Sequence, residues 1–514
     1  MTTRAGIVAL GLIVGTIGST PSVEPTTNEL LEAIQQKLKA VHETTGPSVA
    51  WVVVSRSDKY PKTIQPTDTP GRLGGFDPKE FLKEEPGKTD LALDLDLSDP
   101  RSMPDHGFAG GVVIDSKGLI LTNYHTIDGA VKIFVHLHGG QGSYADIQAA
   151  DARSDLAVLR LLTPPPGLVP ITFGEVRLSD TLTEKATVFK GKLVVLLPSA
   201  AAGQAEIGPR GGGLGSILGF DRKTSPRIRV WGGAPIPIHH SVYHYAPVIR
   251  HNARLDFGCS GLPLLNLNGE LIGLTTTIAG IDGGENGPGH ALPFDSNIKR
   301  IVEVLRRGEE VEYGFLGVIV APGEERGGRG IIVTITPQGP AAAGGLVADE
   351  RTTYMITRIN GHPVKTYEDL LLHAGSALAG SKIRLEVYKE PDTDPLPPIE
   401  VTLGKYRGDT PFIASVRPAA VFGLRVDYGT VLIHNQSSGV GIPPGVAVRE
   451  LLPASPAFTK FKALGENTRW LITHVNGTPT PSPAEFYRAT TGQESVKLSV
   501  IDLQLNTRHS LTLP

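Results

Sequence analysis

Cysteine is nearly absent from this sequence, and its charges almost balance. Cys259 is the only cysteine among 514 residues, which excludes an internal disulfide framework and a cysteine-based zinc site of the usual spacing. The 49 basic and 52 acidic residues give a formal net charge of -3, so there is no electrostatic reason to expect nucleic acid or an anionic membrane as a partner. The function has to be sought in individual sites.

Long hydrophobic runs are also missing after the N-terminal segment. Residues 1–25 combine a basic start with a short apolar stretch that ends in small residues, a pattern typical of a secretory signal peptide. No clean cleavage site follows, so an uncleaved membrane anchor is the alternative interpretation. Under both interpretations the sequence predicts an exported protein of the periplasm or cell envelope.

Aromatic residues are scarce, at 6% of the chain, whereas glycine and proline are abundant, with 61 and 41 residues. No long heptad pattern appears, and this balance favours strands and turns over helices. A chain of 514 residues also exceeds what one hydrophobic core usually supports. We therefore expect a mainly β protein with several domains.

Alternation of apolar and polar residues predicts a β domain over residues 26–308. Hairpins are expected at Gly118 and at Asn268–Gly269, because glycine adopts the positive φ that a tight turn between strands requires. A helix over SNIKRIVEVLRRG, capped by Asp295 or Ser296, closes the domain.

Two stretches within this domain break the alternation. Residues near 56–106 and 197–250 are rich in proline, glycine and polar or charged side chains. Such composition is typical of loops inserted into a β domain. Both stretches are therefore predicted to be insertions.

The C-terminal part of the chain contains two similar modules, over residues 309–406 and 411–514. Each has the order strand, Pro-Ala segment, strand with Asn-Gly, helix, strand. Asn360–Gly361 and Asn476–Gly477 occupy matching places in the two modules. A repeat of this kind predicts two copies of one small domain.

Three short motifs contain the residue types of a nucleophilic hydrolase. His125 lies in LTNYHTIDGA, Asp155 in ARSDLAVLRL and Ser260 in FGCSGLP, each at the end of a predicted strand. A serine hydroxyl becomes an effective nucleophile when an imidazole accepts its proton and a carboxylate orients that imidazole. The turn that begins at Gly258 can also direct the backbone N–H groups of Gly258 and Ser260 at one point, as an oxyanion hole requires.

These motifs and the repeated modules resemble the HtrA/Deg family of trypsin-like serine proteases with two C-terminal PDZ domains. TNYHTIDGA is similar to the family's histidine segment, SDLAVLRL to its aspartate segment, and GCSGLPLLNLNGELIGLTT to its nucleophile hairpin. The resemblance covers most residues from about 107 to 514. It implies a mainly β fold with a trypsin-like double β-barrel protease domain over 26–308, a first PDZ domain over 309–406 and a second over 411–514.

The resemblance also implies roles for single residues. His125 would be the general base, Asp155 the residue that orients it and Ser260 the nucleophile, while Gly258 and Ser260 would supply the oxyanion-hole amides. In the first PDZ domain, the loop that would receive a peptide's terminal carboxylate consists of Gly314, Phe315, Leu316 and Gly317.

The implied function is that of a serine endopeptidase that cleaves unfolded or damaged exported proteins and binds peptide segments through its PDZ domains. The implied partners are such proteins and peptides, and the implied assembly is a homo-oligomer, a trimer built through the protease domain. No cofactor and no metal is implied.

The chain departs from the family's nucleophile motif at two positions. Cys259 stands where the family has asparagine, and Leu262 stands where it has a second glycine. A side chain at position 262 is expected to crowd the turn, and the insertion at 197–250 falls where the specificity pocket would be built. The alternative interpretation is therefore a catalytically impaired scaffold or chaperone that binds peptides through its PDZ domains.

Two further chemistries are less well supported by the sequence. Cys259 is adjacent to Ser260, which occupies the nucleophile position, so a thiol mechanism is not favoured. No carboxylate pattern accompanies the histidines of the second insertion, so we interpret that segment as polar and exposed and not as a metal site; these histidines are His239, His240, His244 and His251.

Overall fold

The computed structural model describes most of the chain after the N-terminal segment. The described residues are 27–56, 96–98, 107–179, 183, 185–198, 212–221, 242–255, 258–276, 288–320, 328–349, 351–391, 394–407, 412–433, 442–465 and 469–514. The predicted signal peptide or anchor at 1–25 and much of both predicted insertions lie outside these residues.

The first barrel closes because its last strand pairs back onto an earlier one. Neighbouring strands follow the order β5, β4, β1, β2, β3, β6, and β6 pairs with β5. The strands are β1 (Val49–Ser55), β2 (Phe108–Val113), β3 (Leu119–Asn123), β4 (Lys132–His136), β5 (Gly142–Asp151) and β6 (Leu156–Leu161). The predicted turn between β2 and β3 contains Gly118 at φ 100°.

The second barrel is closed in the order β10, β11, β14, β13, β12, β9. A small parallel pair, β7 (Leu178–Ser179) and β8 (Val188–Phe189), precedes it. The barrel strands are β9 (Leu193–Leu196), β10 (Gly213–Asp221), β11 (Val248–His251), β12 (Pro263–Leu265), β13 (Leu271–Thr276) and β14 (Gly289–Pro293). The predicted turn between β12 and β13 contains Gly269 at φ 79°.

Two further sheets follow, one in each predicted module. The first C-terminal sheet contains β16 (Val318–Val320), β17 (Ile331–Ile335), β18 (Tyr354–Ile359), β19 (His362–Pro363), β20 (Lys382–Lys389) and β21 (Ile399–Thr402), next to the pair β15 (Gly314–Phe315) and β22 (Gly404–Lys405). The second C-terminal sheet contains β24 (Leu424–Tyr428), β25 (Val446–Leu451), β26 (Trp470–Val475), β27 (Thr478–Pro479), β28 (Val496–Asp502) and β29 (Thr507–Leu513). Asn360 and Asn476 both have φ 51°, so the matching Asn-Gly positions form matching turns.

The segment between these two sheets returns to the first barrel. Its strand β23 (Phe412–Ala414) pairs antiparallel with the end of β5. The sequence did not predict this strand, because its partner lies far away along the chain.

Helices are few and mostly short in the described part of the chain. They are Thr27–Thr45, Tyr124–Ile127, Val242–Tyr245, Ser296–Arg306, Pro340–Ala343, Tyr367–Leu370, Pro456–Lys462 and Pro483–Thr490, with a π-helical turn at Leu371–Gly375 and short 3₁₀ helices at Gly46–Ser48 and Gly429–Leu432. None of the helices in the described ranges has the length and apolar character needed to cross a bilayer.

One hydrophobic core cluster contains residues of both barrels, and a second cluster lies within the first barrel. The shared cluster contains Val112 and Leu121 from the first barrel, Leu264 and Leu274 from the second, and Ile301 from the helix that closes the domain. Asp295, and not Ser296, caps that helix, since its carboxylate accepts the N–H groups of residues 297 and 298. A shared core holds the facing ends of the two barrels at a fixed separation, which is the condition for a site built from both.

Part of the second predicted insertion is regular structure, contrary to the expectation from its composition. β10 and the helix Val242–Tyr245 both lie within 197–250, and β11 begins there. Gly212, at φ 138°, precedes β10, and Gly213, at φ 111°, begins it. A glycine-rich start of this kind conceals a strand from a search for alternating residues. The segment after residue 241 is also buried and not exposed, with Tyr243 and His251 both at 0% exposure.

Candidate active site

His125 projects from a single helical turn directly after β3. The helix Tyr124–Ile127 begins where the strand ends, and the N–H of Tyr124 donates to the carbonyl of Asp155. Arg56 donates to the carbonyls of His125, Thr126 and Asp128 from the other side. Because both ends of this turn are bonded to other segments, the position of the His125 ring is set by the barrel and not by a free loop.

Asp155 occupies the tight turn that connects β5 to β6. Its φ is 54°, a left-handed conformation that aspartate tolerates better than most residues. Its side chain is fully buried and accepts hydrogen bonds from four donors. These are the His125 backbone N–H at 3.0 Å, His125 Nδ1, Asn123 Nδ2 at 3.3 Å and the Tyr243 hydroxyl at 2.7 Å. A buried carboxylate needs such donors, because they replace the hydration that it loses.

The imidazole of His125 lies between Asp155 and Ser260. Its Nδ1 is 2.9 Å from both carboxylate oxygens of Asp155, and its Nε2 is 3.1 Å from the Ser260 Oγ. The ionised carboxylate favours the tautomer with the proton on Nδ1, which leaves Nε2 as an acceptor facing the serine hydroxyl. The structure thus brings together all three predicted side chains, two from the first barrel and one from the second.

The turn that carries Ser260 rests on β2 of the first barrel. The N–H of Gly110 donates to the Ser260 carbonyl at 2.6 Å. Gly258 and Gly261 both have φ 80°, and a side-chain atom on either would collide with the first barrel, at the Phe108 ring and at the Gly110 carbonyl respectively. Both positions therefore require glycine for conformation and for space.

Leu262 does not crowd this turn, contrary to the expectation from the sequence. It is absent from the residues with positive φ and is fully buried, so its backbone has a conformation open to any residue. Its side chain lies over Gly110, where an added Cβ would be 2.5 Å from Leu262 Cδ2. The missing side chain at position 110 provides the space that Leu262 occupies.

The direction of the Ser260 amide follows from its neighbour. The Cys259 carbonyl accepts a hydrogen bond from Thr275 Oγ1, inside the second barrel. In a trans peptide the N–H and C=O groups point in opposite directions, so the Ser260 N–H is directed away from Thr275. The peptide that carries the Gly258 amide begins at residue 257, which lies outside the described residues.

The structure describes Cys259 fully but the insertion histidines only in part. Cys259 is fully buried beside Ser260. Within the described residues no set of three or more His, Cys, Asp or Glu side chains is arranged to hold a metal. His239 and His240 lie outside those residues, His244 is described only in its backbone, and His251 lies in β11.

The predicted carboxylate loop of the first module connects β15 to β16. Gly314 and Phe315 form β15, and the N–H of Gly314 donates to the Ala377 carbonyl at 2.6 Å. Gly317 has φ 75° and lies against Pro340. β16 is the end strand of its sheet in the described part of the chain, so the loop leads directly into a sheet edge.

Two residues that contact Asp155 were not predicted from the sequence. Asn123 lies in the histidine motif, but nothing in the motif indicates its role. Tyr243 lies among the insertion histidines, where Val242, Tyr243 and Ala246 have a helical spacing of apolar side chains that indicates a buried face.

Comparisons with known proteins show what this chain is similar to. The family model of the trypsin-like peptidase domain matches residues 109–274. A probable periplasmic serine endoprotease DegP-like from Pseudomonas savastanoi pv. phaseolicola is 26% identical over 86% of this chain and 86% of its own length. A protein of the same name from Chlamydia trachomatis serovar D is 25% identical over 88% of this chain and 83% of its own length. Among solved structures, the HtrA-type protease AlgW with a tripeptide is 20% identical, with a TM-score of 0.44 over 72% of this chain and 97% of that chain.

The double β-barrel and the peptidase-domain match define a trypsin-like serine endoprotease. The two DegP-like relatives confirm the resemblance to the HtrA/Deg family seen in the sequence. Their names as periplasmic enzymes also support the predicted export to the periplasm, and an endoprotease acts on peptide or protein substrates.

Proposed function

We propose that His125, Asp155 and Ser260 are the catalytic triad of this endoprotease. The observation that carries the proposal is the His125 ring, 2.9 Å from the carboxylate of Asp155 and 3.1 Å from the hydroxyl of Ser260. Hydrogen-bond contact between nucleophile and base, and between base and orienting carboxylate, is the geometric requirement of this chemistry.

The reaction proceeds in two halves. Ser260 Oγ attacks the carbonyl carbon of the scissile peptide while His125 Nε2 accepts the hydroxyl proton, and Asp155 stays ionised and stabilises the imidazolium. His125 then gives that proton to the departing amine, which leaves an acyl-enzyme on Ser260. Water attacks the ester as His125 accepts its proton, and the carboxylate product leaves when Ser260 regains its hydrogen.

The oxyanion formed in both halves is assigned to the N–H groups of Gly258 and Ser260. The Thr275 contact to the Cys259 carbonyl supports the assignment, because it directs the Ser260 amide away from the barrel interior. Loss of one such donor typically costs about 2.7–4 kcal/mol of transition-state stabilisation.

The proposed substrates are unfolded or damaged exported proteins, with peptide segments held by PDZ domains over 309–406 and 411–514. The loop of Gly314, Phe315, Leu316 and Gly317 is proposed to receive a terminal carboxylate through N–H groups other than that of Gly314, which donates to the Ala377 carbonyl. The edge of β16 is proposed to pair with the peptide as an added strand. The proposed assembly is a homo-oligomer, a trimer built through the protease domain, which light scattering of the purified protein would test.

The triad is tested by two neighbouring substitutions. Ser260→Ala should reduce cleavage of unfolded casein to background, because loss of a serine nucleophile costs on the order of 10⁶-fold. Cys259→Ala is the matched control and should keep most of the activity, since its side chain is buried in the hydrophobic cluster of the protease domain. Comparable activity in both variants would contradict the serine mechanism.

A fluorophosphonate probe separates the protease from the scaffold alternative. The probe should label the wild-type protein at Ser260 and leave Ser260→Ala unlabelled. Absence of labelling in a wild-type protein that still binds peptides would favour the scaffold.

Peptide binding is tested with one peptide in two forms. A free C-terminal carboxylate should bind more tightly than the amidated form, because it offers two charged acceptor oxygens to the loop N–H groups, whereas the amide offers one uncharged oxygen. Equal affinities would exclude carboxylate recognition by this loop.

A further inference from the structure

A hydroxyl outside the predicted triad contacts the triad carboxylate. Tyr243 lies on the helix Val242–Tyr245 and donates to Oδ2 of Asp155 at 2.7 Å. Both side chains have 0% exposure. A hydrogen bond to an ionised group is strong in such surroundings, because little water competes for it.

The direction of this hydrogen bond follows from its surroundings. Burial, and after it the charge of Asp155, raises the pKa of the Tyr243 phenol well above its ordinary value, so the hydroxyl keeps its proton and donates it. A hydrogen bond with the Thr276 side chain acts in the opposite direction on the same pKa, as expected when a threonine donates to the phenol oxygen. Thr276, Tyr243 and Asp155 therefore form a buried chain of hydrogen bonds.

The two oxygens of Asp155 have different partners. Oδ1 accepts the backbone N–H of His125 at 3.0 Å, and both oxygens face the imidazole Nδ1 at 2.9 Å. Oδ2 accepts from Tyr243 at 2.7 Å and from Asn123 Nδ2 at 3.3 Å. Besides His125, Oδ2 therefore has two hydrogen-bond donors, and the contact with Tyr243 is the shorter one.

The helix that carries Tyr243 is bonded to the same loop as Asp155. The N–H of Val242 donates to the Arg153 carbonyl at 2.8 Å. Arg153 and Asp155 lie in the turn between β5 and β6, where Asp155 has φ 54°. One backbone contact and one side-chain contact therefore fix the position of Tyr243 relative to the carboxylate.

We propose that Tyr243 is a positioning residue of the active site, a hydroxyl from the 197–250 stretch that holds Asp155 in the orientation that His125 requires. It acts through Asp155 and does not touch substrate. The inference rests on the proposed triad and adds a residue to it. The 197–250 stretch would thereby contribute to catalysis as well as to any selection of substrates.

The test compares two tyrosines on one helix. Tyr243→Phe removes only the hydroxyl that reaches Asp155. Tyr245→Phe is the matched control, because Tyr245 is 2% exposed and its hydroxyl faces Arg153. We expect Tyr243→Phe to lower kcat on a fluorogenic peptide about tenfold, equivalent to about 1.4 kcal/mol, with KM unchanged, and Tyr245→Phe to keep a wild-type kcat.

A proton resonance provides a readout that a packing role would not move. The His125 Nδ1–H shared with Asp155 should give a far-downfield proton signal, since short hydrogen bonds to carboxylates deshield the proton. This signal should shift in Tyr243→Phe and stay in place in Tyr245→Phe. If Tyr243→Phe does not fold, Thr276→Val tests the same chain of hydrogen bonds and should lower kcat in the same direction by about threefold, less than loss of the direct donor to Asp155.

The outcomes separate this inference from the proposed triad. A wild-type kcat and an unmoved resonance in Tyr243→Phe, with normal fluorophosphonate labelling of Ser260, would overturn the role of Tyr243 and leave the triad intact. Equal losses in Tyr243→Phe and Tyr245→Phe would overturn it as well, because the helix would then act through packing. Absence of labelling in the wild-type protein would instead overturn the triad.

Discussion

The two barrels contribute to the active site in different ways. In the first barrel, His125 and Asp155 follow β3 and precede β6, which are paired neighbours, so the pair is held within one sheet. In the second barrel, Ser260 lies on a turn whose carbonyl is bonded to Gly110 of the first barrel. The acid–base pair is therefore local to one barrel, whereas the nucleophile depends on the interface between two.

Within the first barrel, the largest effect is expected from the acid–base pair. Asp155→Asn should lower kcat about 10⁴-fold, because an amide at this position favours the wrong histidine tautomer and does not stabilise the imidazolium. Steady-state kinetics on a fluorogenic peptide would measure the loss. Asp146→Asn is the matched control, since Asp146 is exposed on β5 of the same barrel, and a loss of similar size in both would contradict the role of Asp155.

The interface between the barrels should be the next most sensitive feature. In Gly110→Ala the new Cβ would lie 2.5 Å from Leu262 Cδ2 and 2.7 Å from Leu262 N. We expect the free energy of unfolding to fall by about 1–3 kcal/mol, as in other overpacked cores, together with a loss of kcat as the Ser260 turn moves. Urea unfolding and kinetics of the same protein would measure both.

A double mutant sharpens this test. Adding Leu262→Gly to Gly110→Ala removes the side chain that the new methyl group meets, so part of the lost stability should return as a coupling between the two positions. Additive effects of the two substitutions would show that Gly110 does not accommodate Leu262.

A smaller effect is expected from a buried histidine of the second barrel, which should make the stability of the protein depend on pH. His251 in the second barrel is fully buried, and burial, followed by the neighbouring His290, lowers its pKa from 6.5 to about 4, while the main chain at Ala253 acts in the opposite direction. Between about pH 6.5 and pH 4 the unfolded chain therefore binds a proton that the folded chain does not. As the pH is lowered through this window, the free energy of unfolding should fall by up to about 1.4 kcal/mol per pH unit. Above pH 6.5 the stabilisation that comes from burying the neutral histidine is fully present.

Replacing the histidine tests this assignment. His251→Leu should reduce the pH dependence of urea unfolding between about pH 6.5 and pH 4. His138→Leu, at an exposed position of the first barrel, should leave that dependence unchanged. An unchanged slope in His251→Leu would assign the pH dependence to other groups.

Local signals predicted the parts of the fold whose cause lies within a few residues. Gly118 and Gly269 form the predicted hairpin turns, and Asn360 and Asn476 form equivalent turns in the repeated modules. Each of these depends on a backbone conformation that one residue type tolerates best. His125, Asp155 and Ser260 could also be predicted, because each of them lies in a motif made of consecutive residues.

Features that depend on distant contacts could not be predicted in this way. The sequence indicated that the Leu262 side chain would crowd the turn. In the structure, Gly110 of the first barrel leaves the space that this side chain occupies. Tyr243 looked like part of an exposed polar insertion, yet it is buried against Asp155. β23 pairs with β5 although a long stretch of chain separates them.

By itself, the sequence determined the mainly β character, the turns, the repeat and the residue types of a serine protease, because these follow from local conformational preference and from motifs read along the chain. The tertiary structure alone decided how a leucine fits the nucleophile turn and which hydroxyl reaches the buried carboxylate. The physical reason is that packing and hydrogen bonding depend on distance in space, and residues far apart in the chain become neighbours only when the barrels close on a common core.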